Sequence, residues 1–202
     1  SEAIGLAMIA ELPLVVIDVQ RGGPSTGMPT KSEQADLMQA LYGRNGESPV
    51  VVLAASTPTD CFDMAYWAGK LAVEHMTPVI LLTDAFIANG SAAWRIPDYL
   101  NDYPEIRPNY VENYRNPEPW KAYRRDKNTL VRYWAVPGTE GFTHRIGGLE
   151  KDYDTSSIST DPRNHQKMVQ TRQGKIDKIA DYIPDVEVLG DQDADLLIVG
   201  WG

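Results

Sequence analysis

The chain has 202 residues, 43% of them hydrophobic and 23% charged, which is typical of a folded domain and argues against general disorder. Its 19 Lys and Arg against 28 Asp and Glu give a net charge of −9, so neither nucleic acid nor an anionic membrane is an expected partner. The single cysteine, Cys61, excludes an internal disulfide framework and an iron–sulfur cluster held by this chain alone, and it fits a reducing, cytoplasmic compartment.

Four apolar runs predict the inner strands of a parallel sheet. They are residues 12–19, 49–55, 78–83 and 194–200. Each is continuous in Val, Leu and Ile rather than alternating, as expected when helices cover both faces of the sheet. Helical patterns lie between the runs, and this alternation predicts an α/β fold with right-handed crossovers.

Two helices are predicted in the first half of the chain. The segment Thr30-Lys31-Ser32-Glu33 is a capping-box pattern ahead of a helix over residues 35–42. Pro58 is expected in the first turn of a second helix, which is predicted to end near His75. We expect the His75 imidazole to be a cation there, because positive charge is favourable at a helix C-terminus.

The C-terminal part of the sequence predicts a division of the chain. Asp161 begins a third helix and Pro184 ends it. Because the run 194–200 has the composition of a buried strand, we expect this chain to be a fragment of a longer polypeptide. Residues 1–185 would form most of one domain, and residues 186–202 a linker and the first strand of the next.

An irregular, proline-rich and aromatic-rich stretch occupies residues 87–150. Only residues 129–136 within it have the composition of a strand. So long a stretch is usually a functional or interface loop, and packing on a partner chain and packing on its own domain are both open. A short basic run at 121–127 is expected to be a solvated loop or a subunit contact.

The loop after the first strand is rich in residues suited to ligand binding. Its residues 21–29 include three glycines and two prolines, so neither a helix nor a strand continues through it. It follows the carboxyl end of a parallel strand, which is where α/β sheets place ligands. Arg21, the hydroxyls of Ser25 and Thr26, and the glycine amides suit a carboxylate or another small anion.

Three interpretations of this loop are open at this point. The sequence Gly23-Pro24-Ser25-Thr26-Gly27 matches the G-x-S-x-G elbow of α/β hydrolases, with Asp84 and either His144 or His165 completing a triad. A phosphate-binding loop is a second interpretation, although the spacing of the known phosphate motifs is missing. A tight turn in which Arg21 pairs with a neighbouring carboxylate is the third.

The sequence strongly resembles the α subunit of 2-oxoacid:acceptor oxidoreductases, most closely the 2-oxoglutarate:ferredoxin type. The resemblance covers nearly the whole chain and is weakest at residues 98–132. The segments that carry it are Glu2–Ala7, Glu11–Pro13, Asp18–Gly27, Pro29-Thr30, Glu33–Leu37, Leu41–Glu47, His75–Asp84, Asn164–Met168 and Val199–Gly202.

The resemblance implies a thiamine-diphosphate-binding fold, a three-layer parallel-sheet sandwich that is incomplete at its N-terminus. It implies oxidative decarboxylation of a 2-oxoacid, transfer of the acyl group to coenzyme A, and electron transfer to ferredoxin. Thiamine diphosphate would be shared with a β subunit, and Mg²⁺ and an iron–sulfur cluster would lie on partner subunits. Arg21 would bind the substrate carboxylate, and Thr30 would donate a hydrogen bond to the substrate.

Some parts of the family pattern have no counterpart in the sequence. The family's YPITP-type substrate loop and its cofactor-activating glutamate are missing, and neither Glu2 nor Glu11 matches that glutamate. No metal ligands are expected, and no catalytic residue is assigned within this chain. We therefore expect the chain to be inactive alone. The alternative from another class is a non-catalytic domain that binds small anions or supports assembly.

Overall fold

The computed structural model describes residues 1–191 and 193–200. Its strands and helices alternate along the first half of the chain, and one long helix lies near the end. The strands are β1 (Leu14–Gln20), β2 (Val51–Ala54) and β3 (Pro78–Asp84). The α-helices are α1 (Glu2–Ala10), α2 (Leu37–Tyr42), α3 (Asp60–His75), α4 (Ala85–Asn89) and α5 (Pro162–Ile179). Two short 3₁₀ turns span Val111–Asn113 and Ala180–Tyr182.

The three strands form one parallel sheet in the order β1-β3-β2. The register of β1 on β3 pairs Leu14 with Pro78, and that of β2 on β3 pairs Val51 with Val79. The central strand β3 is buried along its whole length, as its continuous apolar sequence predicts. The predicted parallel α/β fold is confirmed.

Side chains of β3 alternate between two helical layers. Val79 and Leu81 pack with the α3 face that contains Leu71. Ile80 and Leu82 point to the other face, where they form one apolar cluster with Met8 of α1 and Ala40 of α2. Because successive residues of a strand face opposite sides of a sheet, this alternation builds three layers: helix, sheet and helix.

The helix starts show which capping predictions hold. Asp161 caps α5 by accepting a hydrogen bond from the Arg163 amide at 2.8 Å, as predicted. The prediction that Thr30 caps the next helix is wrong, because α2 begins only at Leu37. The Glu33 carboxylate instead accepts the Gly23 amide at 3.2 Å, so the loop uses the group that the pattern assigns to the helix.

Two predicted strands are not found. Residues 129–136 contribute only isolated bridges, through Arg132 and Trp134, and the left-handed φ of Leu130 (60°) interrupts an extended backbone. Residues 194–200 pair with no strand in the described chain, and the Ile198 side chain is 83% exposed. A strand needs a neighbour for its backbone groups, and none is present there. Residues 192, 201 and 202, within the predicted linker and strand of 186–202, lie outside the described residues. The division at residue 186 stays a prediction.

The irregular stretch packs on its own domain. Tyr103 donates a hydrogen bond to Asp63 of α3, and its ring lies 5.8 Å from that of Phe62. The stretch also delivers Arg125 and Arg132 to the buried end of α1. Of the two alternatives, the structure shows packing within the chain.

A buried ion cluster joins distant parts of the chain, and we call Glu11, Arg125, Arg132 and Lys175 the Glu11 cluster. Glu11 follows α1 and is 1% exposed. Its carboxylate lies 3.0 Å from Arg125, 2.8 Å from Arg132 and 3.4 Å from Lys175. Arg132 also donates to the carbonyls of Ala10 and Glu11 at 3.1 Å. The cluster therefore fastens the end of α1 to the irregular stretch and to α5.

Burial and neighbouring charges shift the pKa values of the groups in the Glu11 cluster. Burial raises the pKa of Glu11, but Arg125, Lys175 and Arg132 outweigh it and lower that pKa to about 2. Burial lowers the pKa of Lys175 to about 8, against the attraction of Glu11. The expectation that the basic run is a solvated loop or a subunit contact is thus wrong for Arg125, which is buried on Glu11.

His75 ends α3 as predicted, but the expected positive charge is wrong. Its ring is buried and packs edge-on against Tyr182 at 4.9 Å. Burial lowers the pKa of His75 to about 4, despite the attraction of Glu74. The imidazole is therefore neutral near pH 7, because the free-energy cost of removing the charged ring from water exceeds the stabilisation that the helix C-terminus gives to a positive charge.

We expect the stability of the protein to fall as the pH drops from about 6.5 to about 4 in part through His75. In that window the unfolded imidazole binds a proton that the folded one rejects, so acid favours unfolding. His75→Gln should flatten the slope of unfolding free energy against pH in this window. Urea unfolding at several pH values measures this slope. If the slope is the same in His75→Gln and in wild type, the lowered pKa of His75 is wrong. His144→Gln is the control.

Among the described residues, no helix is both long enough and apolar enough to cross a membrane.

Candidate functional site

The glycine-rich loop after β1 closes on itself through its backbone. The Gly22 amide donates to the Lys31 carbonyl at 2.9 Å, and the Met28 amide donates to the Gly22 carbonyl at 2.8 Å. Gly27 has a φ of 52°, and a Cβ there would lie 2.0 Å from the Gly22 carbonyl oxygen. Only glycine fits that position, so the loop shape depends on it.

The structure brings Arg21 and Thr30, the two predicted substrate-binding residues, to one cleft of about 620 Å³. The cleft lies where the carboxyl ends of β1 and β3 meet, which is where parallel sheets bind ligands. One wall comes from the loop and the other from α4. The lining residues are Val19, Arg21, Pro29, Thr30, Ser32, Ala85, Phe86, Asn89 and Gly90.

Arg21 is exposed and forms no ion pair with any residue of the described chain. The interpretation in which Arg21 pairs with a neighbouring carboxylate is therefore wrong for these residues. Thr30 has a φ of 65° and does not cap α2, whose N-cap is Asp36. Both side chains are available to a ligand in the cleft.

Asp84 connects the sheet to the second wall. Its Oδ1 accepts the amides of Phe86 at 2.7 Å and Ile87 at 3.0 Å, which caps α4, and its Oδ2 accepts the Gln34 amide at 3.0 Å. Burial raises the pKa of Asp84, but the hydrogen bonds from Gln34, Ile87 and Phe86 outweigh burial and leave that pKa below its usual value. The carboxylate is therefore ionised and acts as an acceptor only.

The hydrolase interpretation is wrong for the described chain. Neither candidate histidine bonds to Asp84, since His165 lies 2.8 Å from the Glu150 carboxylate and His144 lies 2.7 Å from the Phe142 carbonyl. Ser25 has a φ of 54° within the loop, and no helix follows it directly. A nucleophile elbow needs strand, serine and helix in immediate succession.

Cys61 is a half-buried free thiol on α3. No group of three or more His, Cys, Asp or Glu side chains that could hold a metal ion occurs within residues 1–191 and 193–200.

Sequence reasoning missed the second wall of the cleft. Phe86 and Asn89 lie on α4, which has only five residues and shows no helical period. The position of Asp84 in the sequence could have predicted this wall. Asp84 ends β3 as Gln20 ends β1, and the carboxyl ends of the two strands meet at the edge where ligands bind.

A parallel α/β sheet with a ligand-facing, glycine-rich loop after its first strand is typical of cofactor-dependent α/β enzymes. Within that class, the family of pyruvate flavodoxin/ferredoxin oxidoreductase, thiamine diphosphate-binding, has a sequence model that matches residues 1–163. The match covers most of the chain, so the chain belongs to this family. The predicted thiamine-diphosphate-binding fold and family are confirmed.

Relatives of known name agree with this assignment. The chain is 57% identical over 203 residues to the 2-oxoglutarate oxidoreductase subunit KorA of Mycobacterium tuberculosis, covering 100% of this chain and 30% of that protein. It is 33% identical over 202 residues to the 2-oxoglutarate synthase subunit KorA of Methanothermobacter marburgensis, covering 100% of this chain and 52% of that protein.

A solved structure has the same fold. It is a 2-oxoglutarate:ferredoxin oxidoreductase from Magnetococcus marinus with 2-oxoglutarate, coenzyme A and succinyl-CoA bound. The TM-score is 0.86 at 33% identity, and the match covers 94% of this chain and 32% of that chain. The chain thus spans about a third to a half of the proteins that it matches.

Proposed function

We propose that this chain is part of the α subunit of an enzyme that oxidatively decarboxylates 2-oxoglutarate or a close 2-oxoacid. The acyl group passes to coenzyme A and the electrons pass to ferredoxin. One observation carries the proposal: Arg21 and Thr30, the residues that the family resemblance assigns to substrate, line the same cleft at the ligand edge of the sheet. The names of the relatives support the same activity.

Arg21 binds and orients the substrate. Its guanidinium grips a carboxylate through two parallel hydrogen bonds and places the keto carbon for attack. Because the guanidinium keeps its proton at neutral pH, it does not protonate a reactive carbanion. Loss of CO₂ disperses the carboxylate charge, so Arg21 acts in binding rather than in the decarboxylation step.

Thr30 donates a hydrogen bond to the substrate from the same wall of the cleft. Its competing role as the N-cap of α2 is absent, since Asp36 occupies that position. Among the described residues its hydroxyl has no hydrogen-bond partner, which leaves it free for a ligand.

The cleft residues fit the ring portion of thiamine diphosphate. Val19, Pro29 and Phe86 offer apolar contacts to an aromatic heterocycle, and the volume of about 620 Å³ is in the range of small-molecule sites. When bound, thiamine diphosphate would supply a carbon nucleophile suited to the keto carbon of a 2-oxoacid. Following the family resemblance, Mg²⁺ and an iron–sulfur cluster lie on partner subunits, and a β subunit completes the cofactor site. The single cysteine fits a reducing, cytoplasmic compartment.

The test is an activity assay on the full α subunit assembled with its β partner. Reduction of a viologen dye that depends on 2-oxoglutarate and coenzyme A is the expected result. The 202-residue chain alone, given thiamine diphosphate and Mg²⁺, is expected to show no turnover. If the assembled, cofactor-loaded enzyme is inactive with every 2-oxoacid tried, the non-catalytic anion-binding or assembly alternative replaces the proposal.

A further inference from the structure

We propose that Gln34 is a positioning residue that holds the two walls of the cleft at a fixed separation. The proposal rests on the proposed function, because the cleft is taken as the 2-oxoacid site. Gln34 lies on the loop that carries Arg21 and Thr30, yet it does not line the cleft. It acts through Asp84, which starts the opposite wall.

The link between the walls is one hydrogen bond between side chains. Gln34 Nε2 donates to Asp84 Oδ2 at 3.0 Å, across 50 residues of sequence. The same carboxylate caps α4 through its other oxygen. Asp84 is 3% exposed, so its orientation is fixed by these three donors rather than by water. The position of the loop is thereby transmitted to the first turn of α4, where Phe86 lies.

The end of the loop is held to the sheet by Gln20, through hydrogen bonds that do not involve α4. Gln20 is buried at the end of β1, donates to the Thr83 carbonyl at 3.3 Å and accepts the Asp36 amide at 3.0 Å. This bond anchors residue 36 to the sheet when Gln34 is changed. Removing the Gln34 amide should therefore loosen the wall separation while the loop stays attached.

Loss of this positioning should affect substrate binding more than chemistry. Gln34→Met keeps the length of the side chain and removes the donor. We expect KM for the 2-oxoacid to rise about threefold to tenfold, within the range for one ordinary hydrogen bond, because Gln34 acts on the substrate only through the position of the wall. The value of kcat should change less than twofold. A purely structural role would instead lower the fraction of active enzyme and reduce kcat.

The chain offers a matched control. Gln173 Nε2 donates to Asp177 Oδ1 at 2.7 Å on the exposed side of α5, far along the chain from the loop. Gln173→Met removes the same kind of bond, and it should leave KM unchanged. A rise in KM in both variants would assign the effect to general loosening and overturn the proposal.

Gln34→Glu supplies a pH signature. Its carboxylate faces Asp84, so the bond forms only when the pair shares a proton. The ratio of the Gln34→Glu KM to the wild-type KM should fall toward one as the pH falls, whereas the ratio for Gln34→Met should stay level. Lys31, Glu33, Asp36 and Asp18 are common to all variants and cancel in these ratios.

A measurement without turnover separates this proposal from the proposed function. Hydrogen exchange of the Phe86 and Ile87 amides, which bond to Asp84, should quicken in Gln34→Met and not in Gln173→Met, in the assembled enzyme. If wild type is inactive but exchange responds, the wall link stands and the proposed function fails. If wild type is active while neither KM nor exchange responds, the positioning role of Gln34 is wrong.

Discussion

Arg21→Ala in the assembled enzyme should lower kcat/KM for the 2-oxoacid by about 30-fold or more, because it removes a charged hydrogen-bond partner worth about 2–5 kcal/mol. The reason is the isolation of the Arg21 guanidinium in the cleft, where no ion pair with the described residues competes for it. Steady-state kinetics of viologen reduction measure the loss. Most of it should appear in KM, because the carboxylate is bound in ground state and transition state alike.

Two further variants sharpen the test of Arg21. Arg21→Lys keeps the charge but loses the paired hydrogen bonds, so its kcat/KM should fall between wild type and Arg21→Ala. Lys31→Ala removes a cation from the same loop that does not line the cleft, and it should have little effect. If Arg21→Ala is as active as wild type, the substrate assignment is wrong although the enzyme class stands.

Glu11→Gln should destabilise the protein by about 3–5 kcal/mol, the usual cost of removing one partner from a buried ion pair. The carboxylate is the anion shared by Arg125, Arg132 and Lys175, all of which are buried. Without it, the charges of Arg125 and Arg132 are uncompensated in a site from which water is excluded, and the pKa of Lys175 falls further because the attraction of Glu11 is lost. Urea unfolding of the full α subunit, followed by circular dichroism, measures the change.

The matched control is Glu2→Gln on the same helix. Glu2 is exposed in the first turn of α1, so its loss should cost less than about 1 kcal/mol. Adding Lys175→Met to Glu11→Gln removes a buried amine that has lost its carboxylate partner and should restore part of the stability. Equal midpoints for Glu11→Gln and Glu2→Gln would show that the Glu11 cluster does not stabilise the fold.

The sequence predicted the parts of the fold that local pattern controls. The continuous apolar strand at residues 78–83 and the cap at Asp161 depend on nearby residues, and both are found. The meeting of Arg21 and Thr30 in one cleft was predictable from the resemblance, since both lie on one short loop.

Other features depend on contacts that no local pattern contains. Glu11 and Arg125 are 114 residues apart, and their ion pair explains why a basic run in a loop is partly buried. The residues from Thr30 to Glu33 match the capping-box pattern. In the folded loop, however, the Glu33 carboxylate accepts a hydrogen bond from the Gly23 amide instead of capping a helix. The strand expected at 194–200 lacks a neighbour among the described residues, so composition alone did not decide it.

The position of α5 has a consequence for where the chain can be cut. The family match ends at residue 163, one residue after α5 begins. Beyond that point α5 still supplies buried side chains: Met168, Thr171, Arg172, Lys175 and Ile179. Lys175 belongs to the Glu11 cluster, and Ile179 packs on the α3 side of the sheet. The family match therefore ends inside the unit that folds, and an expression fragment designed on its boundary would expose core that α5 covers.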